Sequence, residues 1–298
     1  MKSENETKAP IGCAADGAKK LGFLNVDKPS GMTSSAVVNR IKRLTGLPCG
    51  HMGTLDPLAS GVLPVGIGNA TRLFEYFLNK QKEYIAEFTF GADSDTLDST
   101  GELVRGGRIP TAEEIERVLP AFEGEIMQVP PKYSAKNVGG RRGYDLARAG
   151  VEFELEPKKV RIDEVALLGG EGDVFRFRIR CGGGTYIRSL ARDIAGKLGT
   201  KAVMSGLRRT KSGYFKIEEA VPFDALTGEN IEELIIPTES VLPYETIVLN
   251  GPRAEKIFCG VPVPTDYADG EYKIYRDGFF YGIAEVRNKR AKIKTKLC

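Results

Sequence analysis

Between Gly50 and Gly61 the chain reads Gly-His-Met-Gly-Thr-Leu-Asp-Pro-Leu-Ala-Ser-Gly. Glycine opens backbone conformations closed to other residues, and proline fixes φ and removes a donor. Such punctuation predicts a shaped loop that holds its side chains in set directions. The segment carries His51, the single histidine among 298 residues, and five positions later Asp56, locked between a leucine and a proline. Binding and catalytic residues concentrate on loops held by a rigid scaffold, so this loop is a site candidate. A turn with a capping aspartate is the ordinary alternative, and it suits an isolated Gly-x-Asp-Pro better than a pattern of this length.

A chain of 298 residues fits one large domain, or a medium one plus a small one. Hydrophobic residues make up 41%, enough for a packed core. No stretch approaches the ~18 apolar residues of a membrane span. Residues 1–20 are polar and mixed in charge, without the apolar core of a secretory signal, and predict a disordered tail. The five cysteines are scattered and no pair has metal-ligand spacing; one histidine cannot complete a zinc set. The expectation is a reduced, cytoplasmic chain without a metal. No P-loop and no G-x-G-x-x-G after a strand is present, so a nucleotide cofactor is not expected either.

Net charge is +3, but its distribution is uneven. Residues 181–213 hold seven basic side chains against Asp193, and residues 131–149 hold five against Asp145. The last twelve residues hold six, and no acid. Three clusters on a near-neutral chain favour a polyanion footprint over ordinary solvated faces.

Residues 21–26 read as a short strand. Thr33 or Ser34 can cap a helix with Val37, Val38, Ile41 and Leu44 inward, stopped by Gly46. Residues 69–78 predict a second helix. Tyr84 to Phe90 alternates as a strand, and Thr111-x-x-Glu114 is a capping box. Val174 to Cys181 alternates apolar residues with Arg176, Arg178 and Arg180, a half-buried strand with one basic face. A triple glycine, 182–184, then feeds a helix whose first turn carries Arg188. A cation there opposes the helix dipole, so a specific anionic partner is expected. Leu242-Pro243 marks a boundary. Beyond it come a short helix opened by Asn250-Gly251-Pro252, a hairpin signal at Asp277-Gly278, and a basic final strand. Without regular βαβ spacing, the fold class is α+β with a mixed sheet.

Three chemistries fail on the residues. Asp93 to Asp98 resembles a calcium loop but has Leu97 and Asp98 at the fifth and sixth positions. A paired-carboxylate glycosidase needs a second acid in a loop comparable to that of Asp56. A Ser-His-Asp hydrolase needs a Gly-x-Ser-x-Gly elbow. A carboxylate nucleophile remains; an arginine within a few Å would favour its ionised form and orient it. The turn from Gly182 to Arg188 is the best supplier.

Several motifs together carry a resemblance. They are Gly22 to Ser34 (GFLNVDKPSGMTS), Gly50 to Gly61, Lys82-x-Tyr84, Gly184 to Asp193 (GTYIRSLARD) and Leu207-Arg208-Arg209-Thr210, with Gln128-Val129-Pro130-Pro131-x-Tyr133-Ser134-Ala135 between. In order and rough spacing they resemble the bacterial TruB family, the tRNA pseudouridine-55 synthases. The resemblance covers all but the first twenty residues. It implies a pseudouridine-synthase fold over 21–243, a mixed, largely antiparallel sheet flanked by helices, with an RNA-gripping insertion at about 128–155. It implies a small β-rich PUA-like RNA-binding domain over 244–298. By the same resemblance Asp56 is the nucleophile that attacks the target nucleotide, Tyr84 stacks on the base and helps remove the C5 proton, and Arg188 pairs with Asp56. Tyr186 and Leu207 would line the pocket, and His51 would sit against the RNA. The implied partner is the T-arm stem-loop of tRNA, bound by a monomer with no cofactor, no metal, no guide RNA and no membrane. Flipping a stacked base costs a few kcal/mol, which basic clusters and stacking would offset.

Met52 and Gly143 depart from the family pattern; the second leaves open how the helix around residue 143 packs. Two other readings share the basic clusters: a non-catalytic tRNA-binding or tRNA-folding module, and a guide-RNA-dependent synthase. The continuation Pro57 to Gly61 and the insertion favour the stand-alone type.

Overall fold

The computed structural model describes residues 22–78, 80–134, 136–276 and 278–297. The tail at 1–20, Ala135 and Asp277 of the hairpin signal lie outside these residues. The main body is an eleven-stranded mixed sheet. Its long strands are β1 (Gly22–Lys28), β3 (Ser60–Ile67), β4 (Lys82–Phe90), β5 (Gly124–Gln128), β6 (Lys158–Glu171), β7 (Val174–Cys181) and β8 (Ala202–Ser212), with β2 (Cys49–His51) paired to β3. They run in the order β1-β3-β8-β4-β7-β6-β5. Neighbours are antiparallel except at two places: β3 beside β8, and β1 beside the short strand Val221–Pro222. The α+β expectation holds.

Local signals set most of the elements. Helix α1 (Ser34–Thr45) starts where Thr33 accepts the Ala36 N–H, and ends at Gly46, whose φ of 69° is left-handed. Residues 69–78 are not one helix. A 3₁₀ turn, Gly68–Leu73, leads into α2 (Phe74–Leu78), still turning Leu73 and Phe77 inward. Helix α3 (Ala112–Val118) carries the full Thr111–Glu114 capping box. Strand β7 buries Phe175, Phe177, Ile179 and Cys181 and exposes its three arginines. Helix α4 (Gly143–Arg148) resolves the Gly143 departure: a Cβ there would lie 2.9 Å from the Lys132 carbonyl oxygen. Helix α5 (Ile187–Lys197) buries Ile187, Leu190, Ala191 and Ile194 against the sheet.

A second sheet of five strands follows: β9 (Thr246–Val248), β10 (Val263–Pro264), β11 (Gly270–Arg276), β12 (Phe279–Arg287) and β13 (Arg290–Lys296), with α6 (Gly251–Phe258) packed on it. Its far end is tied to the body. The Leu297 and Lys296 carbonyls accept from Asn69 and Arg72, each at 2.7 Å. Leu297 and Ile283 share one buried cluster with Phe23, Met52 and Val62. Met52 thus fills core, its methyl over the face of Gly66 where a side chain would collide.

Candidate active site

The Asp56 loop is gripped from one side by residues 28–34. Ser34, in the first turn of α1, accepts the Leu55 N–H (2.9 Å) and donates to the Leu55 carbonyl (2.8 Å). Ser30 donates to the Leu58 carbonyl at 2.6 Å, and the Gly31 N–H to that of Pro57 at 2.8 Å. Lys28 is fully buried and its ammonium donates to the carbonyls of Pro29, Met32 and Pro57. Burial pulls its pKa down to about 8; Asp56 opposes that shift and Arg209 adds to it. The spacing between two distant sequence motifs is thereby explained: the first is the bracket of the second.

Helix α5 supplies the arginine. Gln128 at the end of β5 brackets Tyr186, accepting its N–H at 2.8 Å and donating to its carbonyl at 3.1 Å. Ser189 donates to the Val129 carbonyl. The helix start is thus fixed to β5, and Arg188 projects inward with its side chain 6% exposed. Its Nε lies 3.0 Å from Asp56 Oδ2, an ion pair whose angle is too poor for a directed hydrogen bond. Nη1 lies 3.4 Å from Asp98 Oδ2 and donates to the Thr96 carbonyl, while Nη2 donates to that of Tyr133. One guanidinium therefore joins two carboxylates. Asp98 is buried and itself accepts from Thr96 Oγ1, the Thr100 N–H and Thr100 Oγ1. The Asp93–Asp98 turn that fails as a calcium loop supplies this second acid, which sequence reasoning missed. An arginine buried at a helix start implied an anion, but nothing local said there would be two.

Asp56, Arg188, Tyr84, Tyr186 and Leu207 line one cleft of about 240 Å³. That is below the roughly 300–1,000 Å³ of sites for drug-sized ligands, and suits a small flat ring. The Asp56 side chain is 36% exposed, and the buried Arg188 lines the same cleft beside it. Tyr84 is buried on β4; burial pushes its phenol up to about 12, against the pull of Arg209, so it is neutral at ordinary pH. Lys82, two positions earlier on the same face, donates to the carbonyls of Leu78 and Lys80. Burial and then Arg209 bring its pKa to about 8. His51 is not among the cleft's lining residues. It stands half-buried on β2 beside β3, with Nδ1 unpartnered, and its basicity falls through burial first and Arg209 second. A larger cleft, about 680 Å³, is lined by Asp95, Leu97, Arg192, Val129 to Lys132 and Glu152 to Leu155.

The +6 stretch at 181–213 is not one basic surface. Arg188 and Arg209 are buried, and Arg192, Lys201 and Arg208 pair with Asp193, Asp93 and Asp27. Asp193 belongs to the stretch itself, but Asp56, Asp98, Asp93 and Asp27 come from other elements and are invisible to local counting.

Residues 42–187 match the TruB family pseudouridylate synthase N-terminal domain, and 188–248 the tRNA pseudouridylate synthase B C-terminal domain. A tRNA pseudouridine synthase B of Clostridium tetani is 38% identical over 283 residues, 91% of this chain and 98% of the relative. The chain belongs to the TruB family. It is accordingly a pseudouridine synthase, an isomerase that moves uracil from an N-glycosidic to a C-glycosidic bond. The Acaryochloris marina tRNA pseudouridine synthase B is 40% identical over 286 residues, covering 93% of this chain and 99% of its own. Among solved structures, a Cbf5-Nop10-Gar1 complex contains a chain 26% identical, with a TM-score of 0.70 over 95% of this chain and 87% of that one.

Proposed function

We propose that this enzyme converts uridine 55 to pseudouridine in the T-arm loop of tRNA, with Asp56 attacking the flipped-out nucleotide. The observation that carries the reading is the Asp56–Arg188 pair lining a base-sized cleft with Tyr84 in its wall. The arginine holds compensating charge beside the carboxylate. The reaction breaks the bond from N1 to C1′, turns the uracil, and joins C5 to C1′; C5 gives up one proton, N1 gains one, any bond to Asp56 breaks again, and nothing is oxidised. A neutral phenol at Tyr84 offers its ring face to the base and its hydroxyl as a proton relay. Tyr186 and Leu207 confine the ring, and His51 meets the RNA beside the cleft. Asp98 steadies Arg188 from behind.

The domain reading follows: a catalytic domain over 21–243, with its insertion at about 128–155 gripping the T-arm, and a PUA-like domain over 244–298 touching RNA backbone. The enzyme works as a cytoplasmic monomer without a guide RNA. A guide-dependent synthase is the alternative, and the relatives named tRNA pseudouridine synthase B do not favour it. Tritium release from 5-³H-uridine in a T-arm hairpin, with no other RNA present, tests both. Wild type should release tritium, while Asp56→Asn binds the hairpin normally and releases none. Full activity in the Asn variant would remove the nucleophile assignment, and release only on adding a guide would favour the second reading.

A further inference from the structure

Arg209 is 1% exposed and, among the described residues, makes no ion pair. Its guanidinium bonds the Tyr84 side chain, and three further hydrogen bonds go to backbone. Nε donates to the Val62 carbonyl (2.8 Å), Nη2 to that of Gly53 (3.0 Å) and Nη1 to that of Thr54 (3.3 Å). Gly53 and Thr54 lie where the chain enters the Asp56 loop; Val62 lies where it leaves. Arg209's main chain closes the same gap. It pairs with Gly61 across the parallel β3–β8 contact, and a Cβ on Gly61 would sit 2.3 Å from the Arg209 carbonyl oxygen. Gly61 has a φ of 99°, so glycine is required there twice over. We infer that Arg209 is a positioning residue that staples the two ends of the Asp56 loop, fixing where the carboxylate stands before any RNA arrives.

An arginine suits the task because a planar fork can reach carbonyls on two chain segments at once. A lysine offers one point of charge and leaves some of those buried carbonyls unmet. The field of Arg209 is felt around the pocket: it depresses the basicity of Lys28, His51 and Lys82. The staple is a statement about the free enzyme, and only its activity arm rests on the proposed isomerisation.

The test uses the full chain with Arg209→Lys and Gly61→Ala, read by hydrogen exchange of peptides covering 53–62 and by tritium release. Both variants should exchange faster at 53–62 while β1 and β7 keep wild-type protection. Both should lose kcat, by about 10²-fold if the carboxylate shifts by an ångström, with KM little changed. The double variant should lose less than the sum, because both loosen one joint. Wild-type exchange at 53–62 in Arg209→Lys would overturn the inference, as would exchange raised equally across the sheet. Should Arg209→Lys fail to fold, Gly61→Ala decides by the same comparison. If wild type itself releases no tritium, the isomerase reading fails while the exchange measurement still judges the staple.

Discussion

The two faces of the central sheet treat charge in opposite ways. On the inner face, Lys82 and Arg209 are buried and rest on main-chain carbonyls, and Lys28 does the same at the end of β1. On the outer face, Arg178 and Arg180 share Glu164, and Arg176 reaches Glu87 at 3.8 Å. The outer arginines are 46% to 59% exposed. Their pairs are screened and exchangeable, and each contributes little. The inner cations have no such freedom. Their worth is geometric: Lys28 and Arg209 fix backbone of the Asp56 loop, and Lys82 fixes Leu78 and Lys80, of which Leu78 lines the cleft. Arg188 combines both habits, with two carboxylates and two carbonyls on one buried fork.

That contrast can be broken most decisively at Arg188. Arg188→Met leaves Asp56 and Asp98 without their shared cation; removing one partner of a buried pair costs about 3–5 kcal/mol. Tritium release should vanish and the melting temperature should fall; near-normal turnover would put Arg188 with the outer arginines. Asp98→Asn is milder, because Arg188 keeps Asp56 and both carbonyls. The loss of one charged contact, about 1.5–3 kcal/mol, should lower kcat at least ten-fold with hairpin affinity unchanged.

A smaller effect lies in pH. Lys82 has a folded value of about 8 against an ordinary 10.5, so its charged form is disfavoured in the native state. The cost is fully present below about pH 8. Between that value and 10.5 the unfolded chain binds the extra proton, so this group's contribution to stability improves as pH rises. The melting temperature of wild type relative to Lys82→Met should therefore drift in wild type's favour from pH 8 to 10.5; a flat difference would mean the ammonium is better solvated than its burial implies. The smallest change belongs outside. Glu164→Gln weakens the pairs of Arg178 and Arg180 and should shift thermal unfolding only slightly, less than any variant above.

Local rules made much of this molecule legible. Thr33 and Gly46 delimit a helix, Thr111 and Glu114 start another, and the alternation from 174 to 181 assigns each side chain to its face. The residues destined for the cleft could be named because their motifs are long. What stayed hidden was long-range. Arg208 and Arg209 look alike in sequence, yet a strand's two-residue period sends the first out to Asp27 and the second inward beside Tyr84. Leu207, apolar and two positions before Arg209, was the available sign that this face is buried. Asp98 had no comparable sign, since its partner is 90 residues further on.

The end of the chain has a thermodynamic consequence. Leu297 lies in one cluster with Met52 of the Asp56 loop, and the final strand hangs on Asn69 and Arg72. The small sheet cannot melt without stripping apolar cover from the back of that loop. A scanning calorimeter should therefore record the two sheets as one heat-absorption peak, and a clipped or bulky terminus beyond Lys296 would lower the enzyme's working temperature from some distance behind its chemistry.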